Sequence, residues 1–475
     1  MNTVQRIARN MTFLFSARVI SLGLGFFYVM LTARYLGPSN YGILSFALAL
    51  NGIFGVIANF GLDPLTVREV ARNPDLAEKY LSNGITMKLL FGTFAFVIVA
   101  AVVNLLGYPP ITRHVVYVIT LSTIIAGVNN LFNDIYQAFE QMEFTSLGQV
   151  LKSAMLFILV LIGIELRFAV MYFAATYLIA NIIVLIYNVI VALLKFLRPE
   201  LKAELDFWRE ALREAWPFAL TSIFVSIYYW IDSVMLSYMK GNEVVGWYNA
   251  TYRLTILFLS IPTIFNLTIF PTMSRLYIQS RGNLKLVFEQ YLRYMIILGI
   301  PLGVGVTMLA RPIILLIYGS EYEPSVKSLQ ILIWSVVFLY MSSPPARTLE
   351  AIGRQSSITK MTAFGALLNI SLNLLLIPRF SLYGASFTTA LTEFYSLVVL
   401  FWLVTREGYA PNNTIISVFV KVSFSTALAT VSVISLSKNL LMDSVLFGNI
   451  YLLLLVLTKV ITKEEIKHLM EAIHL

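Results

Sequence analysis

The sequence predicts an all-helical integral membrane protein with about fourteen transmembrane helices, arranged as two pseudo-symmetric six-helix lobes and a C-terminal helix pair. Three observations carry this reading. Of the 475 residues 58% are hydrophobic and only 12% charged, the mean hydropathy is +0.80, and long apolar runs such as Met11 to Ala33 recur along the whole chain. A soluble core has nowhere to place that much apolar surface. In lipid a backbone must satisfy its own hydrogen bonds, and about 20 helical residues cross a hydrocarbon layer of roughly 30 Å. The alternation of a transmembrane barrel is missing from these runs.

Taken in order, apolar stretches between charged or Pro/Gly-marked breaks place spans near 11–33, 42–62, 84–106, 115–137, 147–164, 169–194 and 215–238. A second series follows near 245–271, 290–310, 326–346, 358–378, 383–404, 414–436 and 443–461. With the N-terminus inside, Lys and Arg near the short loops favour the inner side roughly threefold, which predicts a protein of the cytoplasmic membrane with both termini cytoplasmic. The net charge of +9 is then a membrane-orientation signal, and no nucleic-acid partner is required.

The chain has no cysteine and three histidines, His114, His468 and His474, which leaves no disulfide, thiol nucleophile or metal cluster. No phosphate-binding G-x-x-x-x-G-K-[ST] loop occurs, and no extramembrane segment exceeds about 20 residues, too few for an ATPase domain. Neither catalysis, a cofactor nor an oligomer is expected.

The two halves repeat. Tyr35 to Gly42 matches Tyr238 to Gly246, with Gly37 over Gly241 and Gly42 over Gly246 at an offset of 204. Asn73 to Leu76 lies over Arg281 to Leu284, and Phe139 to Glu143 over Leu349 to Gly353, at offsets of 208 and 210. An even number of spans per half makes both halves enter from the same side, so an axis along the membrane normal relates them. The expected organisation is a first lobe over 1–198, a cytoplasmic amphipathic linker over 199–214, a second lobe over 215–405, and an extra pair with a cytoplasmic tail over 406–475. In the linker Leu201, Leu205, Trp208 and Leu212 recur at helical spacing.

The words of the chain add a resemblance. Leu31-Thr-Ala-Arg-Tyr-Leu-Gly-Pro-Ser-Asn-Tyr-Gly-Ile-Leu44 and Gly61-Leu-Asp-Pro64, followed by Arg68-Glu69 and Ala71-Arg72, resemble the N-terminal signature of the polysaccharide transporter family. Ala351-Ile-Gly-Arg354, Asn369 to Asn373, Leu374 to Phe380 and Gly384 to Glu393 resemble its next hallmark. That family holds Wzx-like flippases of the multidrug/oligosaccharidyl-lipid/polysaccharide exporter superfamily. The resemblance implies alternating access through a V-shaped central cavity, moving a polyprenyl-(pyro)phosphate-linked oligosaccharide across the membrane for polysaccharide or glycoconjugate assembly. Spans 13 and 14 resemble those of the longer members, the peptidoglycan lipid flippases among them.

Charged side chains at mid-bilayer cost at least about 2.5–3.5 kcal/mol, so those kept there face a wet cavity or a partner. Arg18 lies roughly 10 Å into span 1 and Arg253 about 12 Å into span 8. By the resemblance these spans line the cleft, where two guanidinium forks suit the oxygens of a diphosphate. Asp232, at the depth of Arg253, is a candidate ion-pair partner for it. Glu393 and Lys421 are candidates for a pair between spans 12 and 13, or Glu393 for a titrating group that couples proton entry to lobe motion; a coupling ion, Na+ or H+, is a candidate partner of the protein. Asp134, Glu140, Glu143 and Glu350 read as interfacial charges. Asn51, Tyr229, Asn249 and Tyr252 are candidate contacts for sugar hydroxyls, although interhelical hydrogen bonds and aromatic belts use the same residue types. A cation-coupled multidrug exporter would need unpaired carboxylates deep in the cleft, and a membrane glycosyltransferase would need an acidic or metal-binding loop.

Overall fold

The computed structural model describes residues 3–195, 200–434 and 440–461, and among them there is no strand. The helices in chain order are α1 (Thr3–Asn59), α2 (Leu62–Arg72), α3 (Ala77–Leu105), α4 (Pro110–Ala138), α5 (Met142–Glu165), α6 (Val170–Lys195), α7 (Leu205–Lys240) and α8 (Asn242–Phe258). They continue as α9 (Ser260–Gln279), α10 (Arg281–Ile317), α11 (Pro324–Ala351), α12 (Gln355–Phe380), α13 (Leu382–Arg406), α14 (Asn413–Ile434) and α15 (Leu440–Leu457). Twelve segments among the described residues are long and apolar enough to cross a membrane, and the shorter Val445–Leu457 is the expected fourteenth span. Expected spans 1 and 2 both lie in the stretch Ala17–Asn59, as two helices that meet at Gly37, where the backbone is not helical (φ 68°, ψ 172°). Expected span 8 is divided, α8 stopping at Phe258 and α9 starting at Ser260.

By its contacts the chain forms two compact units, 1–249 and 250–475, with the division inside α8. In the first, α1 packs along α3, α4, α5 and α7, and α4 packs on α2, α3 and α6. Leu131, Phe132, Ile135 and Tyr136 of α4 fill its core with Leu81 of α3 and Val70 of α2. Amides staple α4 to α6: Asn129 donates to Asn181 O at 2.9 Å, Asn188 to Asn129 Oδ1 at 3.1 Å, and Asn181 to Ser122 Oγ at 2.8 Å. In the second unit α11 packs on α10 and α13, and α14 on α10 and α15. The terminal pair shares one apolar cluster with α10, in which Val422, Ala429, Tyr451 and Leu455 join Leu284, Phe288 and Leu292, and Tyr451 Oη donates to Ile297 O at 2.8 Å. Faces such as Leu90, Phe94 and Val97 of α3 stay exposed, as lipid contact requires.

The backbone carries the repeat further than the residue types do. Gly241 (φ 90°, ψ 172°) ends α7 in the same conformation as Gly37, at the expected offset of 204. Asn73 and Ser280 are both extended residues whose side chains cap the next turn, which sets the offset there at 207 rather than 208. Glu140 and Gly353 hold matching left-handed positions: Glu140 N donates to Gln137 O and Gln141 N to Tyr136 O, just as Gly353 N does to Glu350 O and Arg354 N to Leu349 O. That pairing moves the offset from 210 to 213, because a helix stop is fixed by its capping hydrogen bonds and not by a shared Glu.

The linker differs from its expected form. Leu201 and Leu205 are 73% and 74% exposed, since α7 begins at Leu205 and the helical period cannot reach back to 201. The buried face is Phe207, Ala211 and Ala215, flanked by Trp208 and Leu212, against Leu62, Leu65 and Met87. No break separates this segment from span 7; α7 runs through both. Residue 199 and the expected tail beyond 461 lie outside the described residues. Ahead of α7, Asn83 Oδ1 accepts from Glu204 N at 2.9 Å and Trp208 Nε1 at 3.1 Å. The Asn83 amide, with Lys79 and Lys202, holds the Glu204 carboxyl below the ordinary glutamate range. Hydrogen bonds to Glu78 and Glu200 hold the Lys202 ammonium above the lysine range.

Candidate functional site

Arg18 opens a basic pocket in the first unit. The cavity, about 240 Å³, is lined by Arg18, Ser21 and Leu22 of α1 and by Gln149, Lys152 and Ser153 of α5. Each helix contributes residues at i, i+3 and i+4, which is one face of a helix. The two faces meet because α5 packs along α1. Among the described residues the lining holds two cations, two hydroxyls and an amide, and no carboxylate. Ser21 Oγ has no hydrogen-bond partner among the described residues, so it is available to a bound group. Such a set donates to anionic oxygens from several directions, and charge-assisted hydrogen bonds to phosphate are among the strong ones.

Lys152 is the member sequence reasoning missed. It reads as one more cytoplasmic cation near a loop, but it lies in α5 on the same face as Gln149 and Ser153. That i, i+3, i+4 spacing beside Arg18, Ser21 and Leu22 was the available signal.

The other candidates are distributed differently. Asn51 is buried and its amide donates to Ala47 O at 2.9 Å within α1. Asn249 is buried and donates to Ser233 Oγ at 2.9 Å and Val245 O at 3.1 Å, joining α8 to α7. Both amides thus have hydrogen-bond partners within the protein. Asp232, also buried, accepts from Tyr248 Oη at 2.7 Å. Tyr229 is 41% exposed on α7. Tyr252 and Arg253 are half-buried on the part of α8 that belongs to the second unit. Glu393, buried on α13, and Lys421, half-buried on α14, lie on helices with different main neighbours, α11 and α12 for the first and α10 for the second.

A second polar centre lies between α2, α3 and α4. Lys88 reads as a loop cation in the sequence, yet its side chain is only 1% exposed. Its ammonium donates to Asp63 Oδ1, to Asn59 Oδ1 at 2.9 Å and to Gly127 O at 3.0 Å. Asn59 Nδ2 in turn donates to Asp63 Oδ2 at 2.6 Å. Asp134, expected at the interface, is 9% exposed and faces this group. Phe60 (φ 42°) and Gly61 (φ 73°) make the turn that brings Asp63 there. A Cβ on Gly61 would come within 2.6 Å of Ala215 O on α7.

Similarity to known proteins agrees with this architecture. The sequence profile described as polysaccharide biosynthesis protein matches residues 7–277, more than half of the chain, and the MatE profile matches 217–375. The Probable low-salt glycan biosynthesis flippase Agl15 of Haloferax volcanii is 23% identical, over 94% of this chain and 96% of its own. Lipid II flippase MurJ of Bacillus subtilis is 24% identical, over 82% of this chain and 81% of its own. A solved structure of Lipid II flippase MurJ, in an inward closed conformation, matches with a TM-score of 0.78 at 17% identity, over 93% of this chain and 97% of that one. That likeness shows the fold.

Proposed function

Because the chain belongs to the polysaccharide biosynthesis protein family, we propose that it is a flippase carrying a polyprenyl-(pyro)phosphate-linked oligosaccharide across the cytoplasmic membrane. It is a transporter and not an enzyme. Both termini are cytoplasmic, the protein acts as a monomer, and its two repeats alternate access to the substrate. The observation that carries the choice of substrate is the basic pocket. Arg18 and Lys152 receive the lipid diphosphate, with Ser21, Gln149 and Ser153 supplying neutral donors. Arg253 is a candidate anion contact of the second repeat. Tyr229 and Tyr252 offer the glycan aromatic faces and hydroxyls. A coupling cation, Na+ or H+, biases the cycle, and a ligand does so only through differential affinity for the two states.

The test is native mass spectrometry of the purified protein titrated with a polyprenyl-diphosphate glycan, a polyprenyl monophosphate and a cationic drug. Preference for the diphosphate, lost in Arg18→Ala/Lys152→Ala, is the expected result. Equal binding of all three, or preference for the drug, overturns the assignment and favours the multidrug reading that the MatE match keeps in view.

A further inference from the structure

We propose that Asp63, Lys88 and Asp134 form a proton-binding site in which Asp134 takes up and releases the proton. As the coupling site of a transport cycle it rests on the flippase reading; as a proton site it stands alone.

The argument is a count of donors and charges. An ammonium has three N–H donors. Those of Lys88 are all used, on Asp63 Oδ1, Asn59 Oδ1 and Gly127 O. Asp63 accepts on both oxygens, from Lys88 and from Asn59 Nδ2. The Asp63–Lys88 pair is therefore neutral and its donors are spent. Asp134 stands against it with Oδ2 buried and without a hydrogen-bond partner among the described residues.

A carboxylate at that position is a buried charge facing a second carboxylate, with no donor to satisfy it. A proton supplies what is missing, because it neutralises Asp134 and lets its O–H donate to Asp63. A metal cation fits less well, since both Asp63 oxygens already accept hydrogen bonds.

Among the described residues, no charged group other than Asp63 and Lys88 acts on Asp134. α4 packs on α1, α2, α3, α5 and α6. The charged groups acting on Asp134 are Asp63 of α2 and Lys88 of α3. α1 brings the Asn59 amide. α6 brings Asn181 and Asn188, engaged with Ser122 and Asn129, and Tyr187, which donates to Phe144 O at 3.1 Å. α5 brings Glu143, which acts on Tyr187.

The site also has an outlet and a lever. The Asp63 side chain is 22% exposed and so links Asp134 to water. Asp63 lies in the first turn of α2, directly after the Phe60–Gly61 turn, whose glycine lies against the backbone of α7. Loss of the proton sets two carboxylates against one lysine and pushes on that joint.

The experiment is an infrared pH titration of the full-length wild-type protein in liposomes, compared with Asp134→Asn. The expected result is a buried protonated-carboxyl C=O band that falls along a one-proton curve, roughly tenfold per pH unit on its alkaline limb, and is absent from the variant. Absence of the band from wild-type protein at acid pH, its survival in Asp134→Asn, or its displacement by Na+ at fixed pH would overturn the proposal. A Lys88→Met protein gives a second readout, a second carboxyl band from Asp63; a single unchanged band also counts against the site. No transport is measured, so failure of the flippase reading is seen separately.

Discussion

Gly42 and Gly246, equivalent positions of the repeat, each press a bare Cα against the backbone of the other's segment. A Cβ on Gly42 would meet Asn242 O at 1.7 Å, and one on Gly246 would meet Pro38 O at 2.0 Å. Pro38 and Asn242 are themselves related by the same offset of 204, so the contact is reciprocal. Backbone-to-backbone approach of this kind is how membrane helices associate when apolar burial between them yields little.

Gly42→Ala and Gly246→Ala are therefore expected to lower thermal stability of the detergent-purified protein, by about 1–3 kcal/mol or more, since the added methyl meets backbone that cannot rotate away. Gly23→Ala is the control. Nothing lies within 4 Å of its new Cβ, and alanine in place of a helical glycine stabilises by up to about 1 kcal/mol. Equal melting temperatures for Gly42→Ala and Gly23→Ala would refute the close contact.

Span positions and the repeat are legible in the sequence because both rest on local signals, apolar length and glycine-marked breaks. Gly37 and Gly241 align because only a conformation that favours glycine turns the chain there. The partners of buried charges are not legible in this way. Lys88 and Lys152 sit one helical turn or two inside the ends of the expected spans 84–106 and 147–164, where a basic residue serves membrane orientation and burial equally well. Only the packing of α3 on α4 and of α5 on α1 separates the two roles. The linker fails for a related reason: its periodicity is real, but the sequence does not say where the helix begins.

Removing one cation from the basic pocket is expected to weaken binding of a polyprenyl diphosphate by about ten- to hundredfold, as charge-assisted hydrogen bonds are worth about 1.5–3 kcal/mol. Arg18→Lys should recover only part of the loss, because an ammonium keeps the charge without the bidentate fork. Ser21→Ala, which removes a hydroxyl without a partner among the described residues, should weaken the diphosphate complex and leave a neutral glycolipid unaffected. Titration by native mass spectrometry reads all three, and an Arg18→Lys protein as weak as Arg18→Ala would argue that the arginine acts only through packing.

Docking of the linker should depend on pH in two directions. Glu204 has a depressed folded pKa, so its contribution is present above the unfolded value, about 4.3, and is lost as pH falls through the folded value. Lys202 has a raised one, so its contribution is complete below the ordinary lysine value, about 10.4, and is lost as pH rises through the folded value. Hydrogen exchange at residues 200–208, corrected for intrinsic rates, should be slowest across the neutral range. Asn83→Ala removes an acceptor used by both Glu204 N and Trp208 Nε1. It should speed exchange at neutral pH and flatten the acid limb; retention of the wild-type profile would show that the linker is held by its apolar face alone.

The centre around Lys88 makes a sign-specific prediction. Lys88→Met leaves Asp63 and Asp134 without a counter-charge in a largely buried site, and breaking a buried pair from one side costs about 3–5 kcal/mol. Asp63→Asn alone leaves the ammonium with Asn59 and Gly127 and with Asp134 as a new anionic neighbour, so it should cost less. The double variant Lys88→Met/Asp63→Asn removes one charge of each sign and should be more stable than Lys88→Met, because replacing both members of a buried pair is often near neutral. Melting temperatures of the three proteins decide it. A double variant less stable than Lys88→Met would mean that Lys88 holds α3 to α4 through Gly127 and Asn59, with the carboxylate contributing little.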